Sequence, residues 1–337
     1  MIEIEKPDLV ARFLKRAVHK ESTRRIYANG LKAFEAFYQK QGTVNDFMDR
    51  LDADLMLPYP LRKGVARDVL SDFIADLKEK KYSPKTISTY VNALRALVSD
   101  KYDDEYSMSI RNSGLPDSEA ESDKQEWNLE LISEFFLSFD NPLYQTILAV
   151  IFQSGLGIGD VLALTYSDIQ EEFEAGIVPI LLTLKRHKTD VEFTTFLGKV
   201  TVDQIRAYFK LVGTPSPESK IFQITKGSVE RFFARKARKI IRKELKKKTD
   251  KESIELLKAE NPWKHFCPMR PHSLRAAFQK LLVLAGCPEI LSEFWMGHET
   301  EKQKGCYILK GMGPKEHREQ YVKFYDKALA FKTERSD

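Results

Sequence analysis

A short acidic segment divides this sequence of 337 residues into two parts that have different hydrophobic patterns. Residues 116–126, PDSEAESDKQE, contain five acidic residues, one lysine and almost no apolar side chains. Because such a stretch cannot contribute to a hydrophobic core, it predicts a linker. The chain is also longer than the roughly 250–300 residues that one core supports. We expect a first domain over 1–112, the linker over 113–126 and a second domain over 127–337.

The first part has the periodicity of α-helices. In residues 22–38, apolar side chains recur about every 3.6 positions, and Ser22 is a suitable N-cap. The same spacing predicts a second helix over 61–80. Ser83 followed by Pro84 is typical of the start of a third helix. Four or five such helices would form a small bundle.

The second part combines helical patterns with two strand candidates. Residues 180–184 and 192–196 belong to a stretch rich in β-branched and aromatic side chains, and they flank a polar turn. Helical patterns occupy most of the remaining sequence. They span 129–139 and 143–153, and further helices begin near residues 202, 228, 271 and 288. We therefore expect a mainly α fold with one small antiparallel sheet in the second domain.

The small net charge of +5 conceals a strongly basic stretch. Residues 235–248 contain nine basic residues and one acidic residue, and apolar residues at helical spacing predict that one face of this helix is buried. A cationic face is most often only solvated, but this density of charge favours contact with a DNA backbone. The candidate contacts are Arg235, Arg238 and Arg242.

Basic residues also lie on the predicted helices of the first part. A solvated helix face and a set of phosphate contacts explain them equally well, because exposed basic residues are common. The candidate DNA contacts here are Arg24, Arg25, Lys32, Lys85, Thr86 and Arg95.

Three cysteines, Cys267, Cys287 and Cys306, are separated by 20 and 19 residues. Without a C-x-x-C pair or an even count, they predict buried thiols in a reducing compartment, and their spacing disfavours a zinc site. No apolar run reaches the roughly 18–20 residues that cross a bilayer, and the first residues lack the apolar stretch of a signal peptide. We therefore expect a cytoplasmic protein and no membrane partner.

Polar residues near the end of the chain occur in a distinctive order. His272 and Arg275 are three residues apart, so they share one side of a predicted helix. A Gly297-His298 pair follows, and Tyr307 stands nine residues after the histidine. Each of these residue types is common alone, whereas an ordered set is a much stronger signal.

Two segments earlier in the chain complete the pattern. SGLGIGDVLALTYSDI occupies 154–169, and KRHKTD, at 185–190, precedes the second strand candidate. In this order and spacing, the motifs resemble those of the tyrosine recombinase family, the phage-integrase type of site-specific DNA recombinases. The resemblance covers essentially the whole chain, and in detail the motifs are similar to those of integrases of archaeal or archaeal-virus type.

The resemblance implies a helical, SAM-like core-binding domain followed by an α-rich catalytic domain, which together form a C-shaped clamp on DNA. It implies double-stranded DNA with attachment or core sites as the partner, and a homo-oligomer that acts as a tetramer on two DNA sites. A phosphotyrosine link preserves bond energy for rejoining, so neither a metal nor a cofactor is expected. The protein would act at the nucleoid.

The resemblance also assigns roles residue by residue. Tyr307 would attack the scissile phosphate and form a 3′-phosphotyrosine link. Arg275 would bind the phosphate oxygens with its planar guanidinium. His272 would accept the tyrosine proton or stabilise the transition state, and His298 would donate a hydrogen bond to a phosphate oxygen.

Two assignments have competitors within the chain. The general acid that protonates the leaving 5′ oxygen would be Lys188, with Lys185 as the alternative, because the turn carries several cations. Tyr321 and Tyr325 compete with Tyr307, but their helical spacing with apolar neighbours predicts packing instead. The helix that bears them would pack either on its own domain or on a neighbouring protomer.

One residue departs from the family pattern. Gly157 follows SGL where the family has a catalytic arginine, while the acidic residue three positions on, Asp160, is present. The sequence leaves open whether this glycine is natural or introduced. Loss of one bidentate phosphate ligand would cost about 3–4 kcal/mol of transition-state stabilisation. We therefore expect impaired cleavage with DNA binding retained. The alternatives are a catalytically inactive homologue that only binds DNA and an enzyme similar to type IB topoisomerases.

Overall fold

The computed structural model describes residues 9–16, 18–102, 115, 128–185, 192–247, 270–298 and 311–334. Contacts within the chain divide it into two compact units, Met1–Glu121 and Ser122–Asp337. Except for Leu115, the expected linker over 113–126 lies outside the described residues. The proposed domain boundaries therefore stay a prediction.

In its described part, the first unit contains five α-helices and a 3-10 turn at Tyr59–Leu61. The helices are α1 (Leu9–Arg16), α2 (Glu21–Tyr38), α3 (Val44–Leu55), α4 (Val65–Glu79) and α5 (Pro84–Lys101). Aromatic rings form much of the core. Phe34 is fully buried, and its ring meets those of Phe47 and Phe73 edge-on, with centroids 5.1 and 5.3 Å apart. The expected helical bundle is confirmed.

Two helix starts in this unit differ from the sequence prediction. Helix α4 begins at Val65 rather than near residue 61, because the carboxylate of Asp54 accepts hydrogen bonds from the amides of residues 63–65 at 2.6 to 3.2 Å. These bonds satisfy amides that lack a partner within a helix. Helix α2 begins at Glu21, so Ser22 is not its N-cap, and an acidic residue in the first turn suits the helix dipole.

The second unit is mainly helical in its described part and contains one two-stranded antiparallel sheet. The helices are α6 (Leu129–Leu137), α7 (Pro142–Ser154), α8 (Ile158–Val161), α9 (Gln170–Glu174), α10 (Lys199–Val212), α11 (Lys226–Lys247), α12 (Pro271–Leu284), α13 (Glu289–Trp295) and α14 (Pro314–Ala328). The strands are β1 (Ile180–Lys185) and β2 (Glu192–Leu197), whose register runs from Ile180 opposite Leu197 to Lys185 opposite Glu192. The expected mainly α fold with a small antiparallel sheet is confirmed.

Two helices of this unit begin earlier than predicted. Helix α10 begins at Lys199, and Val202, the expected start, is the first residue whose amide bonds back along the chain, to the carbonyl of Gly198 at 3.0 Å. Helix α11 begins at Lys226, since the hydroxyl of Thr225 accepts a hydrogen bond from the amide of residue 228 at 3.3 Å, as an N-cap does.

Helix α7 lies at the centre of the second unit. Every residue from Thr146 to Ser154 is buried, as expected for a helix that packs on all sides. Strand β2 and helices α10 and α12 pack against it. Its last two residues, Gln153 and Ser154, are polar and fully buried, and they lead directly into the motif at 154–169. Across the described residues of both units, none of the helices has the length and apolar character needed to span a membrane.

Candidate active site

Arg275 joins two motifs that are far apart in the sequence. It lies in the second turn of α12 and is buried, with 3% of its surface exposed. Its Nη1 donates to the carbonyl of Gly155, and its Nη2 donates to the carbonyl of Met296 at 2.6 Å. The guanidinium therefore bridges the motif at 154–169 and the turn that leads to His298. We refer to this arrangement as the Arg275 bridge.

The two turns that meet at this bridge both require glycine. Gly155 has a φ of +66°, and a Cβ at this position would lie 2.5 Å from the ring of Phe278. Gly297 has a φ of +65°, and its Cβ would lie 2.7 Å from the ring of Phe193 in β2. Residues with a side chain rarely adopt positive φ, and contacts this short would force the rings to move. Gly155 thus permits the end of α7 to approach α12, and Gly297 permits the turn after α13 to approach β2.

Gly157, by contrast, has no structural need to be glycine. It is the N-cap of α8, with φ −71° and ψ 150°, values that any residue adopts. A Cβ would have one close neighbour, the carboxylate of Asp160 at 3.1 Å, which is the flexible end of a side chain. An arginine would therefore fit here beside an acidic group. Nothing in the backbone explains the departure from the family pattern.

The two histidines of the motifs belong to elements that the Arg275 bridge holds together. His272 is exposed in the first turn of α12, one turn before Arg275, so the two share a side of the helix but differ in burial. His298 is partly exposed and directly follows Gly297. Its amide donates to the carbonyl of Glu293 at 3.1 Å, which closes the turn after α13. Their roles towards a phosphate stay a prediction.

Three successive carbonyls at the end of α7 accept hydrogen bonds from buried side chains. The carbonyl of Gln153 accepts from the Tyr321 hydroxyl at 2.8 Å, that of Ser154 from the Thr195 hydroxyl at 2.6 Å, and that of residue 155 from Arg275. The last carbonyls of a helix have no partners within it, so they need donors from elsewhere. Here the donors come from α14, β2 and α12. We refer to the carbonyls of 153–155 as the carbonyl triplet.

The side chain of Gln153 adds further links around this point. Its oxygen accepts from the amide and the hydroxyl of Thr201 at 3.0 and 2.9 Å. Its nitrogen donates to the Tyr325 hydroxyl at 2.8 Å and to the carbonyl of Leu329 at 2.9 Å. The sequence motifs do not include Gln153, although a polar side chain in the apolar run LAVIFQS marks it as unusual. Gln153 ties α10 and the end of α14 to α7.

Tyr321 and Tyr325 are packed in their own unit, as their spacing predicts. Tyr321 is fully buried, and this burial, with Tyr325 beside it, raises its pKa well above the ordinary value. Burial also raises the pKa of Tyr325, whose hydroxyl accepts from the amide of Val200 at 3.1 Å. A tyrosine held as a neutral hydroxyl is a poor nucleophile. In this structure α14 packs on its own unit, and docking on a neighbouring protomer stays a prediction.

Two of the assigned residues, Tyr307 and Lys188, lie outside the described residues. Lys185, the alternative general acid, is exposed as the last residue of β1 and stands opposite Glu192. The choice between the two lysines therefore stays a prediction.

Cys267 and Cys306 also lie outside the described residues, whereas Cys287 is buried, as expected. Burial raises the pKa of the Cys287 thiol to about 12. Within the described ranges, no group of three or more His, Cys, Asp and Glu side chains could hold a metal ion. Cleavage without a metal or a cofactor stays a prediction.

Helix α11 presents a basic face and buries the opposite one. Among its described side chains, the buried apolar residues are Val229, Phe232, Phe233, Ala237 and Ile240, and the exposed cations include Arg235, Arg238, Lys239 and Arg242. Lys236 differs from these four cations because it points inwards. Its ammonium donates to the carbonyl of Ser138 and to the carboxylate of Asp140, both at 2.9 Å. The hydrogen bond to the carboxylate lowers the pKa of Asp140. All three candidate DNA contacts are thus on the exposed face.

The candidate DNA contacts of the first unit fall into two groups. Arg25, Lys32 and Lys85 are exposed, whereas Arg24, Thr86 and Arg95 are partly buried. The guanidinium of Arg24 donates to the carbonyl of Val18 at 3.2 and 2.9 Å, so it stabilises the chain before α2. The predicted cap of α5 is confirmed, since the hydroxyl of Ser83 accepts from the amide of Thr86 at 3.2 Å. DNA contact by all six residues stays a prediction.

No protein-family model matches the sequence, and no curated protein is similar to it in sequence. Solved structures, however, are similar in fold. A structure of the Tn1549 transposon integrase in complex with transposon right end DNA is 15% identical over 90% of this chain and 93% of that chain, with a TM-score of 0.57. A lambda integrase dimer bound to a COC′ core site is 14% identical over 88% and 95% of the two chains, with a TM-score of 0.55.

The XerH site-specific recombinase, bound to its difH substrate in a pre-cleavage complex, is 19% identical over 90% of this chain and 82% of that chain, with a TM-score of 0.51. These structural similarities show the fold of the chain and, at such low sequence identity, nothing of its chemistry. The expected similarity to archaeal integrases is untested by these structures and stays a prediction. The chain has the fold of the tyrosine recombinases.

Proposed function

We propose that the chain is a site-specific DNA recombinase or integrase that cleaves and rejoins duplex DNA through a 3′-phosphotyrosine intermediate on Tyr307. The observation that carries the proposal is the Arg275 bridge. One buried side chain joins the motif at 154–169 to the Gly297-His298 motif, so motifs recognised separately in the sequence belong to one site. The fold supports the same conclusion, since the similar structures are of DNA-bound integrases and a recombinase.

In this proposal each step has a residue of suitable chemistry. Tyr307 gives its proton to His272 and attacks the phosphorus, forming a P–O bond in line with the leaving group. The 5′ oxygen leaves with a proton from Lys188. His298 and Arg275 stabilise the negative charge on the non-bridging oxygens. Rejoining reverses these steps with the 5′ hydroxyl of another strand. The place of action would be the cytoplasm, at the nucleoid, because the substrate is duplex DNA.

The surroundings of Arg275 suit its role. Its guanidinium is held by two backbone carbonyls, so little reorganisation is needed when charge develops on the phosphate. Gly157 lacks the second guanidinium that would complete the site. Cleavage is therefore weakened, whereas DNA binding depends on exposed cations elsewhere, such as those of α11.

Trapping of the covalent intermediate tests this proposal. The preferred duplex is first selected from random-sequence DNA, and a nicked suicide version of it then prevents rejoining. We expect a protein–DNA adduct that forms slowly, maps to Tyr307 and is absent from Tyr307→Phe. Absence of an adduct from both the unaltered chain and Gly157→Arg would contradict the proposal and favour a homologue that only binds DNA.

The same experiment separates a reaction similar to that of type IB topoisomerases. Such an enzyme would form the same link but relax supercoiled plasmids that lack the selected site. We also propose that the active species is a homo-tetramer on two DNA sites. Sedimentation of the protein with the selected duplex measures this stoichiometry, and a complex that remains monomeric would contradict it.

A further inference from the structure

We propose that Thr195 and Tyr321 are positioning residues of the cleavage reaction, because their hydroxyls bind the carbonyl triplet and fix β2 and α14 to the end of α7. The inference rests on the proposed function and adds two residues that carry no catalytic group of their own. Thr195 and Tyr321 would hold the elements of the site in place and would not react themselves.

The donors of the carbonyl triplet are all deeply buried. Thr195 and Tyr321 have no exposed surface, and Arg275 is 3% exposed. They act on three consecutive carbonyls, so displacement of any one donor moves the same short piece of backbone. That backbone continues within two residues to Gly157, where the family has its arginine.

Each donor also belongs to an element next to an assigned catalytic residue. Strand β2 begins four residues after Lys188 in the sequence, and α14 begins seven residues after Tyr307. Helix α12 contains Arg275 itself. The carbonyl triplet is thus the point at which three elements are attached to α7: β2 and α14, which are near the assigned general acid and nucleophile in the sequence, and α12, which contains the assigned phosphate ligand.

The hydroxyl of Tyr321 can be removed without removing the packing of its ring. The ring lies 5.0 Å from that of Phe196 and 5.6 Å from that of Trp295, between centroids, and phenylalanine would keep both contacts. Loss of the hydroxyl, however, leaves the buried carbonyl of Gln153 without this donor. The backbone then shifts because an unsatisfied buried carbonyl is unfavourable. A misplacement of about 1 Å in a catalytic group can cost about 100-fold in rate. Tyr321→Phe should therefore affect the rate of DNA cleavage more than it affects the fold.

The test measures DNA affinity, adduct formation and stability separately in the full chain, both with Gly157 and in the Gly157→Arg background. Tyr321→Phe and Thr195→Val each remove one hydroxyl of the carbonyl triplet. Thr146→Val is a matched control, because its buried hydroxyl bonds to the carbonyl of residue 142 in the first turn of α7, at 2.8 Å. Tyr38→Phe is a second control in the first unit, where the hydroxyl accepts from residue 50 at 2.6 Å.

We expect all four variants to lose similar stability. Tyr321→Phe and Thr195→Val should also slow single-turnover adduct formation at saturating DNA by about tenfold or more, with the dissociation constant changed by less than about twofold. The controls should keep the rate. Thr195→Ser, which retains a hydroxyl donor, should restore it, and this pair of threonine variants decides the question even if Tyr321→Phe does not fold.

Three outcomes overturn the inference in distinguishable ways. A normal rate in both hydroxyl variants rejects the positioning role and leaves the proposed function standing. A slowing that the controls share in proportion to their loss of stability assigns the hydroxyls to folding alone. Absence of any Tyr307 adduct, in the unaltered chain and in Gly157→Arg alike, rejects the proposed function and this inference with it.

Discussion

The substitution Gly157→Arg is expected to leave stability almost unchanged. The backbone at this position, with φ −71° and ψ 150°, is open to arginine, and loss of glycine's freedom in the unfolded chain favours the variant by about 0.4–1 kcal/mol. Glycine is the better N-cap, which offsets part of this gain. The carboxylate of Asp160, 3.1 Å from the new Cβ, can rotate and pair with the cation. We expect a net change within about 0.5 kcal/mol in urea unfolding.

The rate of DNA cleavage should rise far more than stability changes. One donor to a developing negative charge contributes about 3–4 kcal/mol, which corresponds to about 100-fold to 1,000-fold in rate. Single-turnover adduct formation on the nicked duplex measures this gain. Gly157→Lys supplies the charge without the planar fork and should gain less. Gly159→Arg is the matched control, because its Cβ would face open space two residues further on.

An unchanged rate in Gly157→Arg, with the variant folded and its DNA affinity preserved, would refute the reasoning that a missing arginine limits cleavage. An equal gain from Gly159→Arg would instead indicate a general effect of charge. Methylguanidine provides an independent comparison. It should accelerate adduct formation by the chain with Gly157, which has no side chain at the guanidinium position, and leave the rate of Gly157→Arg unchanged.

Three further predictions concern binding, stability and reactivity. Alanine at Arg235, Arg238 and Arg242 should weaken DNA binding and reduce the slope of log affinity against log salt by about 0.9 per lost phosphate contact, and an unchanged slope in fluorescence titrations would contradict this. Gln153→Leu removes the four side-chain hydrogen bonds of that residue and should lower the free energy of unfolding by about 3–5 kcal/mol in urea titrations; a loss below about 1 kcal/mol would show that they add little. Cys287, whose pKa burial raises to about 12, should resist iodoacetamide in the folded protein, and mass spectrometry that finds its peptide alkylated at the rate of a free thiol would argue against this.

Local sequence patterns were sufficient to predict most of the fold. Periodicity and the Ser83-Pro84 pair gave the start of α5, and β-branched residues on either side of a polar turn gave both strands to within one residue. The start of α4 was misplaced for a physical reason. It depends on the carboxylate of Asp54, which belongs to the preceding helix, and the apolar spacing of α4 itself contains no sign of that contact.

The same distinction between local patterns and long-range contacts applies to the candidate active site. Motif order identified Arg275 and its neighbours because they lie together in the sequence. Its bridge to Gly155 spans 120 residues and depends on how α7 and α12 pack. The sequence pattern predicts only packing for Tyr321 and does not single out Thr195, because a tyrosine in an amphipathic helix and a threonine in a strand are ordinary residues in those places. Their proposed role depends on hydrogen bonds to the carbonyls of 153 and 154, which form only in the folded chain.

The basic face of α11 has a consequence for the kinetics of binding. Because Phe233, Ala237 and Ile240 anchor the opposite face, the backbone beneath the cations is ordered before any ligand arrives. A helix rises about 1.5 Å per residue, so the backbone positions of Arg235 and Arg242 are held roughly 10 Å apart along its axis. A flexible basic tail would lose conformational entropy on contact with DNA, whereas this face restricts only side-chain rotamers. Its association with DNA should therefore proceed without a folding step, at a rate set by diffusion and electrostatic steering.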